Sequence, residues 1–338
     1  MLVETTLLRR KAAAKLAHPE GWLFTDEALQ QATATPVAEH RARRLAGAVV
    51  HDVTCSIGAE LAALRDSAAL VVGSDVDPVR LAMARNNIPG VLLCRADALR
   101  PVTRDTVVVA DPARRTAGRR RFDPRDYVPA LDGLFVVYAN RDMVVKCAPG
   151  VDFDQLRRIG FSGEIEVTSL SGVVREACLW SEGLATPAVT RRATVLDRGE
   201  QLTDADPDDC ASGPAGRWIV DPDGAIVRAG LVRHYAARHG LWQLDPDIAY
   251  LTGDDLPPGV RGFEVIEQLD FRERMLRQAL SAHDTGALEI LVRGVGVDPD
   301  ALRARLRLRG SQRLALVITR IGSGNASRSV AYICRPSR

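Results

Sequence analysis

Acidic and small residues follow four successive strand-like segments of the sequence, at the point where each strand is expected to end. The first segment leads into Asp52 and a turn of small residues that reaches Gly58, and the second ends at Asp75. Asp97 follows the third segment and Asp111 follows the fourth. Because the carboxyl ends of parallel strands meet at one edge of a sheet, these side chains are predicted to line one crevice, where such sheets bind ligands.

The types of these residues indicate a ligand that contains a nucleoside. A small-residue turn between a strand and a helix lets backbone N–H groups approach a ligand at the helix N-terminus. Asp75 can accept hydrogen bonds from the vicinal hydroxyls of a ribose, whereas Asp77 is expected to cap the next helix. Asp97 can accept a hydrogen bond from an adenine amino group. The first turn lacks the Gly-x-Gly-x-x-Gly pattern, which argues against NAD.

The segments that must position these residues alternate between strand and helix patterns. Residues 1–47 are predicted to be helical, and Thr35-Pro36 is expected to open one of the helices. Short apolar strands separated by helices indicate a parallel sheet that is buried on both faces. Only Ser171 and Gly172 join the last two strands, which predicts an antiparallel hairpin. The predicted strands are 48–53, 70–74, 91–94, 106–110, 143–147, 164–170 and 173–180.

The bulk composition excludes several classes of protein. With 46% hydrophobic and 26% charged residues, the 338-residue chain is globular and long enough for two or three domains. No apolar run approaches the ~20 residues of a membrane span, and the N-terminus lacks the apolar core of a signal peptide. The six cysteines are scattered without a Cys-x-x-Cys pair, so neither a disulfide framework nor a metal site is expected. The sequence therefore predicts a cytoplasmic protein with no membrane partner.

Charge is distributed unevenly along the second half of the chain. From Asp197 to Asp270 there are 15 acidic residues against 6 arginines, whereas from Leu291 to the end there are 10 arginines against two aspartates. An arginine-rich module suits bidentate recognition of phosphate. The alternative explanation is a solvated surface, since the protein uses arginine for nearly all of its positive charge. Within the acidic region, a Gly- and Pro-rich stretch at 201–216 is predicted to be a linker or a long loop, and 225–238 to be one helix.

Four sequence stretches carry a resemblance to a known family. DVTCSIGAEL, GSDVDPVRLAMARNN, RADAL and ADPARR resemble the motifs of class I methyltransferases in order and spacing. The first resembles the Asp-Pro-x-Cys-Gly-Ser-Gly turn of RNA methyltransferases that carry a THUMP RNA-binding domain, but Ser56 stands where that family has glycine. Over nearly the whole chain, including GVVREACLW and GFEVIEQLDFRERMLRQAL, the sequence is similar to bacterial class I methyltransferases with a C-terminal THUMP-like domain.

This resemblance implies S-adenosylmethionine as the cofactor and a Rossmann-like α/β fold, whose mostly parallel sheet ends in an antiparallel hairpin. It also implies four regions: a short helical segment at 1–47, a class I methyltransferase domain at 48–185, a linker with a small α+β segment (ferredoxin-like as one option) at 186–260, and a THUMP-like α+β domain at 261–338. The predicted cofactor-binding residues are Asp52, Thr54, Cys55, Ser56, Gly58, Asp75, Val76, Asp97 and Ala98.

The residues after the fourth strand are the candidates for handling the methyl acceptor. Methyl transfer from a sulfonium is an in-line displacement that depends on alignment. Amino-directed methyltransferases have Asp/Asn-Pro-Pro-Tyr here, whose oxygens accept the N–H bonds of the target amine while the aromatic ring stacks on the base. This chain has Asp111-Pro112-Ala113-Arg114, so Asp111 and the Pro112 carbonyl can accept from an amine, but the ring is missing. Arg114 can instead stack through its guanidinium or hold a phosphate, and the methylated atom is left open.

Six arginines lie within residues 114–125, directly after the predicted acceptor residues. At the mouth of a crevice, this density of guanidinium groups would anchor a phosphate backbone and make binding depend on salt. A solvated loop in which the arginines pair with Asp123 and Asp126 is the alternative. These arginines are Arg114, Arg115, Arg119, Arg120, Arg121 and Arg125.

The leading hypothesis is a methyltransferase that modifies a base of structured RNA, either tRNA or rRNA. In it the loop arginines and Arg305, Arg307 and Arg309 of the C-terminal module bind phosphates. Two alternatives are kept: a methyltransferase for a small molecule or a protein, and a non-catalytic RNA-binding protein that retains the fold. Pyrimidine C5 chemistry at Cys147 would need a group that activates the thiol, and only Lys146 is adjacent in the sequence.

Overall fold

The computed structural model describes residues 2–113, 115–116, 119–120 and 123–337. The chain divides into two compact units, Met1–Gln201 and Leu202–Arg338, and each is considered by itself. The domain limits expected from the sequence, at 47/48, 185/186 and 260/261, remain predictions. No helix in the described part of the chain has the length and apolarity needed to cross a membrane.

The first unit is built on one mixed sheet covered by helices. In the order β11-β10-β8-β9-β7-β4-β1-β2-β3, this sheet contains β1 (Val49–Asp52), β2 (Leu70–Asp75), β3 (Leu92–Arg95), β4 (Val107–Ala110), β7 (Met143–Cys147), β8 (Glu164–Leu170), β9 (Val173–Trp180), β10 (Arg191–Val195) and β11 (Glu200–Thr203). The helices are α1 (Leu2–Ala12), α2 (Asp26–Gln31), α3 (Thr35–Arg44), α4 (Ala59–Arg65), α5 (Pro78–Asn87), α6 (Leu131–Val137) and α7 (Phe153–Arg158). The short strands β5 (Arg115–Thr116) and β6 (Arg119–Arg120) pair with each other outside this sheet.

The strand directions confirm the mostly parallel sheet predicted from the sequence. Strands β1, β2, β3, β4 and β7 pair in parallel, whereas β9 runs antiparallel between β7 and β8. Ser171 and Gly172 join β8 to β9 with φ of 55° and 68°. Two successive left-handed residues match the twist of a two-residue hairpin loop, so the predicted hairpin is present.

The central strands are apolar on both sides because helices cover both faces of the sheet. In β4, Val108 and Ala110 pack into one hydrophobic cluster with residues of α6 and α7, while Val109 packs into the other with residues of α3, α4 and α5. This alternation follows from the two-residue period of a strand. Strands that end between two packed layers place their carboxyl-terminal residues at fixed positions along one edge.

A group of buried charged residues fastens α3 to the sheet. The carboxylate of Glu166 on β8 lies 2.6 Å from Nε2 of His40 and 2.7 Å from Nη1 of Arg44, both on α3. The Thr194 hydroxyl and the Trp180 indole N–H also donate to Glu166, at 2.6 and 3.0 Å. Burial raises the pKa of Glu166, but these hydrogen bonds and neighbouring charges outweigh it and lower the pKa to about 2. Glu166 is therefore an ionised, fully coordinated anion under the helix.

The second unit contains a seven-stranded sheet with the order β13-β14-β12-β15-β18-β17-β16. Its strands are β12 (Trp218–Val220), β13 (Trp242–Gln243), β14 (Leu251–Gly253), β15 (Gly262–Asp270), β16 (Thr285–Arg293), β17 (Gln312–Ile321) and β18 (Arg328–Pro336). Its helices are α8 (Gly224–Ala229), α9 (Val232–His239), α10 (Glu273–Ala282) and α11 (Pro299–Leu306). Strand β16 pairs with β17 in parallel and the other pairs are antiparallel.

The single helix predicted at 225–238 is wrong. Gly230 adopts φ of 72° at the end of α8, and α9 begins two residues later. A left-handed glycine ends a helix by turning its last carbonyl groups toward other donors, and the N–H of Gly230 bonds to Ile226 and Val227. The apolar period continues across the break, which is why the sequence pattern did not show it.

We predict that Glu166→Gln destabilises the protein by about 3 kcal/mol at neutral pH, because it removes the buried anion beside His40 and one of the two buried anions beside Arg44. Since the folded pKa of Glu166 is about 2 against 4.5 for the free side chain, its contribution is complete above pH 4.5 and disappears as pH falls toward 2. Urea unfolding of both proteins across this range measures the difference. The exposed Glu182→Gln is the control, and a penalty that stays constant with pH would contradict the assignment.

Candidate active site

A cavity of about 340 Å³ opens at the carboxyl ends of β1, β2, β3 and β4. This volume lies within the range of small-molecule sites. The structure therefore brings the four strand ends together as the sequence predicted, and eight of the nine residues predicted to bind the cofactor line the cavity. Those eight are Asp52, Thr54, Cys55, Ser56, Asp75, Val76, Asp97 and Ala98.

Gly58, the ninth, is not among the lining residues, and its part in the site is to shape the backbone. It precedes α4 with φ of 89°, a conformation that favours glycine. A Cβ atom at this position would stand 2.9 Å from Cγ1 of Ile88, closer than carbon atoms pack. The turn after β1 can therefore approach α5 only because residue 58 has no side chain.

Asp75 ties the first two strand ends together. One of its carboxylate oxygens accepts the backbone N–H of Ser56 at 3.0 Å, and the other accepts that of Asp77 at 2.9 Å. Asp77 in turn accepts from Val79 and Arg80 at the start of α5, so its predicted capping role is confirmed. Each Asp75 oxygen keeps a second lone pair, which leaves the carboxylate able to accept hydroxyl groups from a ligand.

Asp52 is a buried carboxyl group in the floor of the cavity. Burial, followed by the charge of Glu60, raises its pKa to about 8, against the opposing effects of the Thr54 N–H bond and the charge of Lys146. The Thr54 N–H donates to it at 3.0 Å. At neutral pH the carboxyl therefore holds a proton for much of the time, and a positively charged ligand would favour its ionised form.

Asp111 at the end of β4 pairs with Lys146 at the end of β7. The Lys146 ammonium also donates to the Thr33 hydroxyl and lies 3.9 Å from Oε2 of Glu60. Burial lowers the pKa of Lys146, but the charges of Asp111 and Glu60 raise it above the usual value. The backbone N–H of Asp111 donates to the Thr54 hydroxyl at 2.6 Å. Asp111 is thereby held from two sides, with its side chain 36% exposed.

Arg41 on α3 extends the ion pairs of Asp111, Lys146 and Glu60 toward the helix. Its buried guanidinium donates to both oxygens of Glu60, at 2.9 and 3.1 Å, and to Glu176 on β9 at 2.5 Å. Burial opposes its charge, but Glu176 and Glu60 raise its pKa further. Arg41, Glu60, Lys146 and Asp111 thus form a continuous series of alternating charges from α3 to the cavity. We call these four residues the ion-pair series.

Of the ion-pair series, the sequence predicted only Asp111 as a site residue; Arg41, Glu60 and Lys146 were not predicted. Lys146 stands in the apolar strand segment MVVKC, where a lysine is unusual enough to require a buried partner. It is also one of only three lysines in the protein. Glu60 and Arg41 gave weaker indications, because charged residues in helices are ordinarily solvated.

The other predicted site residues of the first unit follow Asp111 in the sequence. Pro112 is buried beside Ala113, whose backbone pairs with Val128. Arg114 and Arg121 lie outside the described residues. The backbones of Arg115 and Arg120 pair across the two short strands β5 and β6, as do those of Thr116 and Arg119.

The C-terminal arginines differ from one another in their surroundings. Arg305 forms a bidentate pair with Glu273, with distances of 2.8 to 3.1 Å. For Arg307 and Arg309, no carboxylate of the described ranges lies within the 4.0 Å of an ion pair. The residues that the structure describes contain no group of three or more His, Cys, Asp or Glu side chains placed to hold a metal ion.

Comparison with known proteins places the chain in a family. Two proteins of Mycobacterium tuberculosis, strains CDC 1551 / Oshkosh and ATCC 25618 / H37Rv, are named uncharacterized S-adenosylmethionine-dependent methyltransferases. Each is 68% identical over 100% of this chain and 97% of its own length. The chain belongs to the S-adenosylmethionine-dependent methyltransferases. The family resemblance, the enzyme class and the cofactor predicted from the sequence are thereby confirmed.

Two further findings concern the fold. Residues 260–336 match the family described as THUMP domain-like, as expected for the C-terminal region. A solved structure assigned as a methyltransferase, from Porphyromonas gingivalis W83, is similar over 99% of this chain and 90% of its own. It has a TM-score of 0.75 at 18% identity, which shows a shared fold.

The residues of the cavity suit this cofactor. S-adenosylmethionine combines a ribose, an adenine, a carboxylate and two positive charges, on the sulfonium and the ammonium. The cavity offers the carboxylates of Asp75 and Asp97 at two strand ends, and the buried acids Asp52 and Glu60 near the turn. An acid-rich lining favours a cationic ligand over a neutral one of the same shape.

We predict that Gly58→Ala destabilises the protein by more than Gly90→Ala and also weakens S-adenosylmethionine binding. Both glycines have nearly the same backbone angle, φ of 89° and 88°, but a Cβ at residue 90 meets no atom within 4 Å. Each alanine is expected to lose ~1–2 kcal/mol to the left-handed backbone, and Gly58→Ala loses more through Ile88. Urea unfolding and calorimetric titration measure both effects. Equal losses for the two variants would show that the Ile88 contact has no consequence.

We predict that the affinity for S-adenosylmethionine rises with pH through about 8, because the cationic ligand favours ionised Asp52. Asp52→Asn should lose this dependence and bind at least ~10-fold more weakly at high pH. Since the pKa is raised on folding, the carboxylate costs stability as pH rises from 3.8 to about 8. Asp52→Asn should therefore resist urea better than the wild type above that range.

Calorimetry at several pH values measures the affinity, and the exposed Asp154→Asn is the control. An Asp52→Asn protein that keeps the wild-type pH profile would place the titration elsewhere.

Proposed function

We propose that the protein transfers a methyl group from S-adenosylmethionine to a base of structured RNA, tRNA or rRNA. The observation that carries this proposal is the match of residues 260–336 to the THUMP domain-like family beside a methyltransferase unit. The sequence also resembles RNA methyltransferases that carry a THUMP RNA-binding domain. An RNA-binding module joined to a methyltransferase supports an RNA acceptor.

In this proposal the carboxyl ends of the first three strands hold the cofactor. The cofactor, when bound, supplies a methyl group on a sulfonium that is open to in-line attack. Asp75 binds the ribose hydroxyls through the lone pairs left by its two backbone bonds. Asp97 accepts from the adenine amino group, and Asp52 faces positive charge of the ligand. The turn from Thr54 to Gly58 contributes its shape and its backbone N–H groups.

Asp111 and the Pro112 carbonyl receive the acceptor. Lys146 pairs with the Asp111 carboxylate and orients it, so that a free lone pair can accept an N–H or O–H bond of the target base. The acceptor atom forms a bond to the methyl carbon as the carbon–sulfur bond breaks. The proton that the acceptor then loses passes to Asp111 or to water. This arrangement supplies positioning first and proton acceptance second.

Phosphate contacts are assigned to the arginines without a carboxylate partner. Arg307 and Arg309 meet this description within the described residues, and the 114–121 segment supplies further guanidinium groups. Arg305 would have to exchange its Glu273 partner for a phosphate. Binding that rests on such contacts falls steeply as salt increases.

One observation favours a second candidate, a methyltransferase for a small molecule or a protein. Of the nine described arginines from Leu291 onward, six form ion pairs with carboxylates of the same unit, which supports a solvated surface. The pairs are Arg293 with Asp221, Arg303 with Asp300, Arg305 with Glu273, Arg320 with Asp247, Arg328 with Asp270, and Arg335 with Glu264.

We predict that the purified protein transfers radiolabelled methyl groups from S-adenosylmethionine into RNA from a strain that lacks the gene, but not into RNA from the parent strain. Asp111→Asn should reduce the rate by ~100-fold or more, because an amide cannot take up the proton that the acceptor loses. Its affinity for S-adenosylmethionine should stay close to the wild-type value. Label counted separately in RNA, protein and low-mass fractions measures the outcome.

Label confined to the protein or low-mass fraction would support the second candidate. RNA binding without transfer, unchanged in Asp111→Asn, would support a non-catalytic RNA-binding protein. The exposed Asp154→Asn serves again as the matched control for the acidic substitution.

A further inference from the structure

We infer that a second cavity, which shares Asp111 with the first, binds the acceptor nucleotide and holds its phosphate between Lys15 and Arg175. This inference rests on the proposed function and gives it a substrate site. The cavity measures about 640 Å³ and lies wholly within the first unit, between the N-terminal helices, the end of β7 and the β8–β9 hairpin.

The two cavities share part of their walls. Gln31, Thr33, Asp111 and Lys146 line both. An acceptor in the second cavity can therefore reach the Asp111 carboxylate while the cofactor occupies the first cavity. In-line methyl transfer requires this adjacency, because donor and acceptor must approach within van der Waals contact.

The acids of the second cavity already have partners. Asp111 is paired with Lys146, and Glu176 with the buried guanidinium of Arg41. The two remaining cations of the wall, Lys15 and Arg175, have no carboxylate within ion-pair distance in the described ranges. The cavity thus has an excess of positive charge that an anionic ligand would balance.

Lys15 is placed to donate into the cavity. Its ammonium bonds to the carbonyl oxygens of Leu29 and Gln30 at the end of α2, at 3.1 and 2.9 Å, which leaves a third N–H. Burial, followed by the nearby charges of Lys146 and Arg175, lowers the pKa of Lys15, although the charge of Asp111 acts against this. Repulsion among three cations around one space is relieved when an anion enters it.

Arg175 stands at the exposed margin of the same cavity. Its Nε donates to the Leu170 carbonyl at 3.2 Å, which anchors the guanidinium at the hairpin. Its two terminal nitrogens can present parallel N–H groups to a phosphate, the geometry that arginine offers and lysine does not. The remaining wall includes Pro36, Val37, Leu170 and Val174, an apolar surface against which a base can lie.

The test uses full-length protein saturated with S-adenosylhomocysteine, titrated by calorimetry with each of the four nucleoside 5′-monophosphates and with the matching nucleosides. At least one monophosphate should bind ~10-fold or more tightly than its nucleoside, as a charge-assisted phosphate contact predicts. Arg175→Gln should remove most of this difference and leave S-adenosylhomocysteine affinity unchanged. Lys15→Gln should act in the same direction. Arg85→Gln, an exposed arginine outside both cavities, should change neither affinity.

Monophosphates and nucleosides that bind equally, or that both fail to bind at millimolar concentration to the S-adenosylhomocysteine complex, would overturn the inference and leave the proposed function standing. Protein that binds neither S-adenosylmethionine nor S-adenosylhomocysteine would overturn both. Displacement of the monophosphate by an oligoribonucleotide supports the inference with RNA as the source of the nucleotide. Monophosphate binding that the oligoribonucleotide does not displace supports it with a free nucleotide as the source.

Discussion

The buried guanidinium of Arg41 is the constraint on which the site depends. A buried charge must be paired, because taking it out of water costs several kcal/mol that only close partners offset. Arg41 meets this need with Glu60 and Glu176, and Glu60 in turn lies beside Lys146, which holds Asp111. The orientation of the Asp111 carboxylate is therefore set in part by residues of α3 and α4, which are distant from Asp111 along the chain.

This constraint explains why the N-terminal helices belong to the catalytic unit. Helix α3 contributes Arg41 to the ion-pair series. It also contributes His40 and Arg44, which pair with the buried anion Glu166 on β8. Thr33, between α2 and α3, accepts a hydrogen bond from Lys146. Gln31 at the end of α2 and Thr33 after it line both cavities. The helical segment predicted at 1–47 thus supplies part of the wall of the candidate active site.

Local pattern and strand topology predicted much of this fold, whereas contacts between distant residues could not be predicted from the sequence. The acids at the strand ends, the hairpin at Ser171 and the helix cap at Asp77 each rest on short-range rules. The pairing of Lys146 with Asp111 joins residues 35 positions apart, and that of Arg41 with Glu176 joins residues 135 apart. No local period encodes such contacts. The glycine break between α8 and α9 was not predicted because the apolar pattern of the sequence continues across it.

Two carboxyl groups of the candidate site, those of Asp111 and Asp52, differ in whether a cation lies beside them. Asp111 has an ammonium partner, the side chain of Lys146. Asp52 lacks such a close partner in the described residues, and its pKa is raised to about 8. A protein selected for stability alone would replace Asp52 by a neutral residue, because an unpaired buried carboxylate is destabilising. Its presence is explained if the missing positive charge comes from the cofactor, whose product form has lost the sulfonium charge. The same buried acid would then favour binding of the methyl donor over retention of the spent cofactor.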